Sequence, residues 1–293
     1  MLIRISMSKF ISQYQNANEL SELTLGKTTS YISEYTPNLL QGVPRSLNRD
    51  SLQLKNNQLP FIGEDVWYGY EVSWLNLQGK PVVAVAEFRF PCTSQALVES
   101  KSFKLYLNSF NQSRFASKDE VVALMIKDLS AIAGEAAKVQ LFDVDNCPAL
   151  AIQPLDAVCI DDLDITINDF AFNADLLAVK NSAVQEKTGE QLVSHLLKSN
   201  CLITNQPDWA TIYIDYQGQK IPHENLLKYL ISFRQHNEFH EQCVERIFTD
   251  LMQYFHLETL TVFARYTRRG GLDINPFRST HLNQAPLART LRQ

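Results

Sequence analysis

Apolar and polar residues alternate along two neighbouring segments of the chain, and this pattern predicts a β-hairpin. Apolar side chains occupy every second position from residue 66 to residue 74, and again from residue 82 to residue 90. A Gln78-Gly79 pair separates the two segments. Alternation with a period of two is typical of half-buried strands, and a short glycine-containing connection joins such strands in antiparallel order.

Two amphipathic helices and a further strand are predicted after the hairpin. The first helix covers about residues 100–110. Ser117 and Glu120 have the spacing of a capping box, which satisfies free backbone N–H groups at the start of a helix. The helix that they open has an apolar face formed by Val121, Leu124, Met125, Leu129 and Ile132. Val139 and Leu141 then indicate a strand.

The same order of elements recurs in the second half of the chain. The pattern there predicts two strands, two helices and a strand, at residues 192–197, 212–216, 226–233, 240–256 and 260–266. The amino-acid sequence also repeats: residues 106–110 (YLNSF) match residues 229–233 (YLISF). We therefore predict a tandem duplication of a strand–strand–helix–helix–strand unit.

This duplication divides the chain into four parts. They are a polar extension, a first module, an acidic connector and a second module, at residues 1–60, 61–146, 147–178 and 179–293. The extension is interrupted by glycine and proline, so we expect it to be irregular and to wrap the surface. Ile165 and Ile167 could add a strand in the connector. Cys201 belongs to the second module alone.

Composition indicates an ordinary globular protein. The chain has 293 residues, of which 45% are hydrophobic and 20% charged, and its formal net charge is -5. A negative surface does not attract nucleic acid as a whole, so we expect no direct nucleic-acid partner. The five cysteines are odd in number and form no C-x-x-C pair. With no apparent secretory signal or membrane-spanning run, we expect a reducing, cytoplasmic location and no membrane partner.

Several common site motifs are missing from the sequence. There is no G-x-G-x-x-G, no Walker A loop and no G-x-S-x-G elbow. His240-Glu241 begins like the zinc motif H-E-x-x-H, but residue 244 is valine. A Rossmann dinucleotide site and a zincin site are therefore unsupported.

Cys201 and Asp208 are candidates for nucleophilic and proton-transfer chemistry. Cys201 lies in a polar segment between two predicted strands, where exposed reactive groups tend to occur, although a buried packing role is an alternative. A thiolate there could be stabilised by Lys198 or by a helix N-terminus, whereas an anionic Asp208 would oppose it. We therefore expect Asp208 to be a protonated acid in a dry site, with a turn residue as the alternative.

His240 and Glu241 are candidates for recognition of a flat heterocycle. A carboxylate accepts two parallel hydrogen bonds from the N1–H and 2-amino groups of a guanine-like ring. Glu99 in the first half could supply similar recognition. The alternatives are a core histidine and an acidic residue that interacts with the helix dipole.

The Arg268-Arg269-Gly270-Gly271 segment suits a phosphate-binding turn, with Lys101 and Lys104 adding positive charge from the first half. A solvated basic turn is the alternative. A catalytic zinc set of Cys201, His240 and Cys243 is a further alternative, which we disfavour because Cys243 equally suits the core.

These residues together resemble the QueF family, the NADPH-dependent 7-cyano-7-deazaguanine reductases. The motifs that carry the resemblance are residues 99–106 (ESKSFKLY), Cys201 with Asp208, residues 239–241 (FHE) and residues 268–271 (RRGG). It extends from about residue 23 to the C-terminus, in the longer, two-module form of the family. It implies an α+β fold of tandem tunnelling-fold modules, each with an antiparallel sheet and two helices on one face.

The resemblance also implies an activity and residue roles. The reaction is the NADPH-dependent reduction of the nitrile of 7-cyano-7-deazaguanine to a primary amine, in queuosine biosynthesis for tRNA. Cys201 would form a covalent thioimidate and Asp208 would donate protons. Substrate would contact Val98, Glu99, Ser100, His240 and Glu241, and NADPH would contact Ser100, Lys101, Arg269 and Gly270. No metal is implied at the site, and a homodimer is expected. The alternatives are a zinc-dependent, cyclohydrolase-like enzyme of the same fold and a purine- or pterin-binding module without chemistry.

Overall fold

The computed structural model describes residues 31–179 and 186–293 of the chain. The predicted extension before residue 31, with its expected lack of a secretory signal, lies outside the described residues. No helix in the described ranges combines the length and the apolar character needed to cross a membrane.

The first half of the chain contains the predicted hairpin, helices and strand. A short strand β1 (Gly42–Pro44) and a single-turn helix α1 (Ser46–Arg49) come first. The elements that follow are β2 (Ile62–Leu75), β3 (Pro81–Pro91), β4 (Ala96–Val98), α2 (Ser100–Ser109), α3 (Lys118–Ala133) and β5 (Lys138–Phe142). β2 and β3 pair in antiparallel order, which confirms the predicted hairpin.

The second half repeats this order. Its elements are β6 (Val158–Cys159), β7 (Lys187–Asn200), β8 (Pro207–Gln219), α4 (His223–Ser232), α5 (His240–Tyr254), β9 (Leu257–Tyr266) and β10 (Leu272–Ser279). The predicted strands and helices are present, although β7 and β8 are longer than their apolar alternation indicated. The expected strand at Ile165 and Ile167 is wrong, because residues 163–170 have no regular structure. The connector instead contributes β6.

The two halves share one eight-stranded sheet, in the order β5-β3-β2-β10-β9-β8-β7-β6. They join where β10 pairs with β2 along its full length, from Leu272 opposite Gly69 to Ser279 opposite Ile62. The sequence did not predict β10. Leu272 and Ile274 alternate with polar residues, but Pro276 interrupts the pattern after four residues. Every residue of the strand is buried, including the polar ones, so the alternation does not mark an exposed face.

The helices lie on one face of this sheet. Ile212 and Ile214 on β8 belong to the core beneath α4 and α5, whereas Tyr213 between them packs with Phe263 and Phe277 on the other face. Trp67 on β2 belongs to the core beneath α2 and α3. The predicted α+β class, with an antiparallel sheet and helices on one face, is confirmed.

The described part of the N-terminal extension reaches further into the protein than expected. β1 pairs with β4, which holds Val43 opposite Leu97 and buries both side chains. Arg45 and Arg49 are also buried, at 2% and 0% exposure. The extension therefore helps to fix β4 and the start of α2, where part of the candidate site lies.

Candidate active site

Cys201 lies in a tight turn between β7 and β8. Its backbone N–H donates to the Gln206 carbonyl at 2.8 Å, and its carbonyl accepts from the Asn205 N–H at 3.0 Å. Asn205 has a φ of 54°, a left-handed conformation that asparagine tolerates better than most residues. The turn folds Cys201 into the protein, where it is only 4% exposed. Of the two positions that the sequence left open for Cys201, the structure has the buried one, and the cysteine lines a pocket.

Asp208 is the second residue of β8 and is only 4% exposed. Its Oδ1 atom lies 3.1 Å from Arg269 Nε, and its Oδ2 atom lies 3.3 Å from His240 Nε2. The carboxyl group is thus in a strand rather than a turn, and it has a guanidinium partner. The carboxyl group is therefore buried beside one guanidinium and one imidazole, and its expected role as a protonated acid stays a prediction.

His240 begins α5 and stacks on Tyr266, with ring centroids 3.9 Å apart and planes inclined by 32°. Stacking fixes the direction of the ring. The Nε2 atom is buried and makes no hydrogen bond of good geometry to any described residue, although Asp208 Oδ2 is close. A buried ring nitrogen in this position is available to a ligand.

Glu241 follows His240 and is 3% exposed. Burial raises the pKa of its carboxyl group to about 7, and the nearby negative charge of Asp65 acts in the same direction. The electrostatic interaction with His240 lowers the pKa of Glu241, but it offsets this rise only in part. Glu241 is therefore a buried acid whose protonation changes near neutral pH.

Glu99 caps the N-terminus of α2. Its carboxylate oxygens accept from the backbone N–H groups of Lys101 at 2.8 Å and Ser102 at 2.7 Å. Burial raises the pKa of this carboxyl group, and these hydrogen bonds oppose the rise. The sequence indicated a recognition residue here, and the structure adds a capping role that holds Ser100 at the pocket.

One pocket, with about 390 Å³ of empty space, brings these side chains together. It is lined by the predicted catalytic and substrate-binding residues Val98, Glu99, Ser100, Cys201, Asp208, His240 and Glu241. Sequence reasoning assigned no role to other lining residues, namely Val43, Trp67, Leu97, Glu238, Phe239 and Ile274. Most of these residues are apolar. Apolar residues that line a pocket cannot be told apart from core residues in a sequence, so no motif identified them.

A second cleft, with about 720 Å³ of empty space, adjoins the first pocket. It is lined by all four predicted cofactor residues, Ser100, Lys101, Arg269 and Gly270, and by Lys104. Ser100, His240, Arg269 and Ile274 line both spaces. A ligand in the cleft would therefore lie beside the pocket that contains Cys201.

The cleft fits a phosphate-bearing cofactor in charge and shape. Lys101, Lys104 and Arg269 give it positive charge, although Lys104 also pairs with Glu71. Gly270 has a φ of 59°, and no described atom lies within 4 Å of an ideal Cβ there, so the backbone leaves open space for a ligand. Arg268 points elsewhere, with its guanidinium 4.4 Å from the centroid of the Tyr70 ring.

Beneath the pocket lies a buried ion network that the sequence did not reveal. Glu245 Oε1 lies 2.6 Å from Arg49 Nη2 and 2.8 Å from Arg278 Nη2. Asp65 lies 2.8 Å from Arg278 Nη1 and 2.5 Å from Arg45 Nη2. The network joins the extension to β2, α5 and β10. The negative charge of its Asp65 adds to the effect of burial in raising the pKa of Glu241.

The alternative zinc set of Cys201, His240 and Cys243 is not assembled. Among the described residues, the only trio of side chains close enough to share a metal ion is a different one. Cys243 is fully buried, and burial raises the pKa of its thiol far above the usual value. A thiol of this kind resists the deprotonation that zinc binding requires.

Comparisons with known proteins show which family the chain resembles. Residues 31–141 match the family described as "Nitrile reductase, 7-cyano-7-deazaguanine-reductase N-term", and residues 207–285 match "QueF-like protein". The chain is 67% identical over 289 residues to a protein of Colwellia psychrerythraea named "NADPH-dependent 7-cyano-7-deazaguanine reductase". That alignment covers 97% of this chain and 100% of the relative.

A solved structure titled "Crystal structure of the archaeosine synthase QueF-Like in the apo form" also matches. It has 14% sequence identity and a TM-score of 0.27, and the match covers 36% of this chain and 100% of that chain. The family assignment rests on the full-length relative and on the two family matches. The chain therefore belongs to the QueF family of NADPH-dependent 7-cyano-7-deazaguanine reductases, in its two-module form.

Proposed function

We propose that this chain reduces the nitrile of 7-cyano-7-deazaguanine to the aminomethyl group, with NADPH as reductant and Cys201 as a covalent nucleophile. In the cell this step belongs to tRNA queuosine biosynthesis. The observation that carries the proposal is one pocket that is lined by Cys201, Asp208, His240 and Glu241 and that adjoins a basic cleft.

Cys201 adds to the nitrile in this proposal. Its Sγ forms a bond to the nitrile carbon, one π bond of the nitrile breaks, and the nitrogen takes up a proton. The product is a thioimidate attached to Cys201. Closure of the turn by hydrogen bonds to Gln206 and Asn205 fixes the position of the thiol, which lowers the entropic cost of reaching the reacting carbon.

Asp208 and His240 supply the proton to the nitrile nitrogen in this proposal. Both groups border the pocket beside Cys201, and Asp208 Oδ2 lies 3.3 Å from His240 Nε2. A proton shared within this pair can reach a nitrogen held between the two groups. Arg269 contacts Asp208 and also lines the basic cleft, so an anion bound in the cleft would compete with Asp208 for the guanidinium.

Glu241 recognises the heterocycle. In its ionised form the carboxylate accepts two parallel hydrogen bonds, from the ring N1–H and the exocyclic amino group. The apolar side chains of Val43, Leu97 and Phe239 line the same pocket and exclude water from the flat ring. The nitrile on the opposite side of the ring can then point towards Cys201.

The basic cleft holds the cofactor. Lys101, Lys104 and Arg269 would bind its phosphate groups, and Gly270 would allow the close approach of the backbone. NADPH, when bound, supplies the hydrides that reduce the nitrile carbon, one from each of two molecules. After the first reduction the C–S bond breaks, and Cys201 leaves as the thiolate.

Turnover of the Cys201→Ala variant tests this function. We expect Cys201→Ala to lose NADPH oxidation in the presence of the nitrile while its circular dichroism spectrum stays unchanged. Cys147→Ser is a matched control, because Cys147 is half-buried and lies outside both described pocket linings. Normal nitrile-dependent NADPH oxidation by Cys201→Ala would contradict the proposal.

The same proposal includes a cytoplasmic homodimer without a nucleic-acid or membrane partner. The sheet face opposite the helices carries an apolar cleft of about 850 Å³, lined among others by Tyr213, Phe263 and Phe277. Such a face suits sheet-to-sheet association. Sedimentation equilibrium tests it, and a monomer at micromolar concentration would contradict it.

A further inference from the structure

Three metal-ligating side chains meet at the edge of the sheet, outside both pockets. Ligand atoms of Cys159, Asp161 and His195 all lie within 4.8 Å of one another. The described linings of the pocket and of the basic cleft contain none of the three residues. The nitrile reductase activity gives them no role. Cys159 and Asp161 are two positions apart, but His195 lies 34 positions after Asp161, so the set has no common spacing motif.

The sheet itself brings the three residues together. β6 is an edge strand of two residues that pairs in parallel with β7, with Cys159 opposite Val193. Ile160 then donates its N–H to the Val193 carbonyl at 3.1 Å, which carries the chain on to Asp161. The pairing of β7 with β8 is irregular between Ser194 and Leu197. A β-bulge changes the direction in which side chains point, and His195 lies within this irregular segment of β7.

The carboxylate and the imidazole are held in place by surrounding hydrogen bonds. Asp161 Oδ1 accepts from Ser194 Oγ at 2.6 Å, and Asp161 Oδ2 accepts from the His195 N–H at 2.9 Å. His195 Nδ1 lies 2.9 Å from the hydroxyl oxygen of Thr211, a residue that is only 2% exposed. This contact orients the ring and leaves Nε2 for a ligand. Metal-binding histidines and carboxylates are usually supported in this way.

The chemistry of the trio suits a borderline divalent transition metal. Thiolate, imidazole and carboxylate are all zinc ligands, whereas calcium and magnesium prefer oxygen atoms alone. A thiolate and a carboxylate would together balance the two positive charges of the ion. Cys159 is exposed and the other two residues are half-buried, so an ion can enter and keep water in its remaining positions.

We propose that Cys159, Asp161 and His195 bind one zinc ion, which fastens the connector to β7. The site is structural and independent of nitrile reduction. The strand pairing of this part of the connector with the sheet is only two residues long, so a bridging ion would stabilise the connector further by binding only the folded state. The positive charge of Arg292, which donates to the His195 carbonyl at 2.8 Å, moderates the affinity.

Cobalt(II) is a suitable probe because a thiolate ligand gives it a charge-transfer band. The experiment uses untagged, chelator-treated protein in a Cys201→Ala background, so that the reactive thiol cannot bind the metal. We expect one cobalt ion per chain, with the charge-transfer band lost in Cys159→Ser. The band should be kept in Cys147→Ser, which removes a half-buried cysteine outside the trio.

A second variant and a second measurement keep the test decisive. His195→Gln should lower cobalt affinity by at least tenfold, and zinc should raise the melting temperature of the otherwise unchanged chain but not of Cys159→Ser. Absence of saturable cobalt binding would overturn the proposal. Binding that survives both Cys159→Ser and His195→Gln would overturn it equally, since the ion would then lie elsewhere.

Discussion

Arg269 Nε lies 3.1 Å from Asp208 Oδ1, so an arginine of the cofactor cleft also pairs with the proposed proton donor. Its Nη1 group donates to Gln206 Oε1 at 2.9 Å, which fixes the guanidinium between the cleft and the pocket. A phosphate in the cleft would compete with Asp208 for this guanidinium. Cofactor binding and proton donation are therefore expected to be coupled through Arg269.

We expect Arg269→Gln to weaken NADPH binding and also to slow thioimidate formation in the absence of NADPH. The guanidinium lines the cofactor cleft and contacts the Asp208 carboxyl group, so its loss removes a cofactor contact and a partner that orients Asp208. Stopped-flow absorbance of adduct formation without NADPH gives the rate. Arg268→Gln is the matched control, because Arg268 stacks on Tyr70 instead. An unchanged rate of adduct formation in Arg269→Gln would rule out the coupling.

Asp208→Asn should slow adduct formation by about 10²–10⁴-fold, the usual contribution of a positioned proton donor. The amide keeps the size of the side chain but cannot deliver the proton. Single-turnover absorbance measurements give the rate. Asp215→Asn on the same strand is the control, because Asp215 only accepts from Gln191 Nε2 at 3.0 Å. Equal rates for the two variants would remove Asp208 from the mechanism.

Substrate affinity should fall as the pH drops below about 7, because the pKa of Glu241 is raised to about 7 and only its ionised form accepts two hydrogen bonds. Well below that pH, the dissociation constant should rise about tenfold per pH unit. Binding at neutral pH should also release a proton, which calorimetry in buffers of different ionisation enthalpy detects. Affinity that does not change as the pH passes through the raised pKa of Glu241, about 7, would contradict its role.

The same carboxyl group should lower stability above neutral pH. Its pKa is raised in the folded protein, to about 7 from an ordinary 4.5, so the folded state binds more protons than the unfolded state between these values. Stability therefore falls as the pH rises through this window and stays low above it. We expect Glu241→Gln to raise the urea midpoint at alkaline pH and not at acidic pH. A variant that is destabilised at both pH values would show that the carboxylate has a supporting role in the fold.

Glu245→Gln should destabilise the protein strongly. Glu245 is 2% exposed and its carboxylate pairs with Arg49 and Arg278, so its loss leaves buried guanidinium groups uncompensated. Breaking one side of a buried ion pair costs about 3–5 kcal/mol. Urea unfolding measures the change. Glu258→Gln, which breaks an exposed pair with Lys187, is the control and should leave the urea midpoint unchanged. Equal midpoints for both variants would contradict the importance of the network.

Much of the fold could be predicted because its surface strands and helices carry clear periodicity. The hairpin of β2 and β3 and the apolar face of α3 follow directly from alternation and helical spacing. β10 could not be found in this way, since Asp273, Asn275 and Arg278 are buried within it. These polar side chains satisfy partners that come from distant parts of the chain, and such partners have no local signature.

The candidate site could likewise be predicted only in part from the sequence. Residues of short motifs, such as Glu99 and Glu241, could be singled out from the letters, and the structure places both at one pocket. The ion pair between Asp208 and Arg269 could not be foreseen, because the two residues are 61 positions apart and meet only when β8 and the turn before β10 are in place. The sequence could not decide between an exposed and a buried Cys201, since polar neighbours surround a side chain that points inward.

Intact-protein mass spectrometry tests the central claim, covalent attachment of the nitrile to Cys201, most directly. The protein is incubated with 7-cyano-7-deazaguanine in the absence of NADPH, so that reduction cannot remove the adduct. We predict a mass increase equal to one nitrile molecule per chain, mapped to the peptide that contains Cys201 and absent from Cys201→Ala. An unchanged mass, or an adduct that persists in Cys201→Ala, would contradict the account.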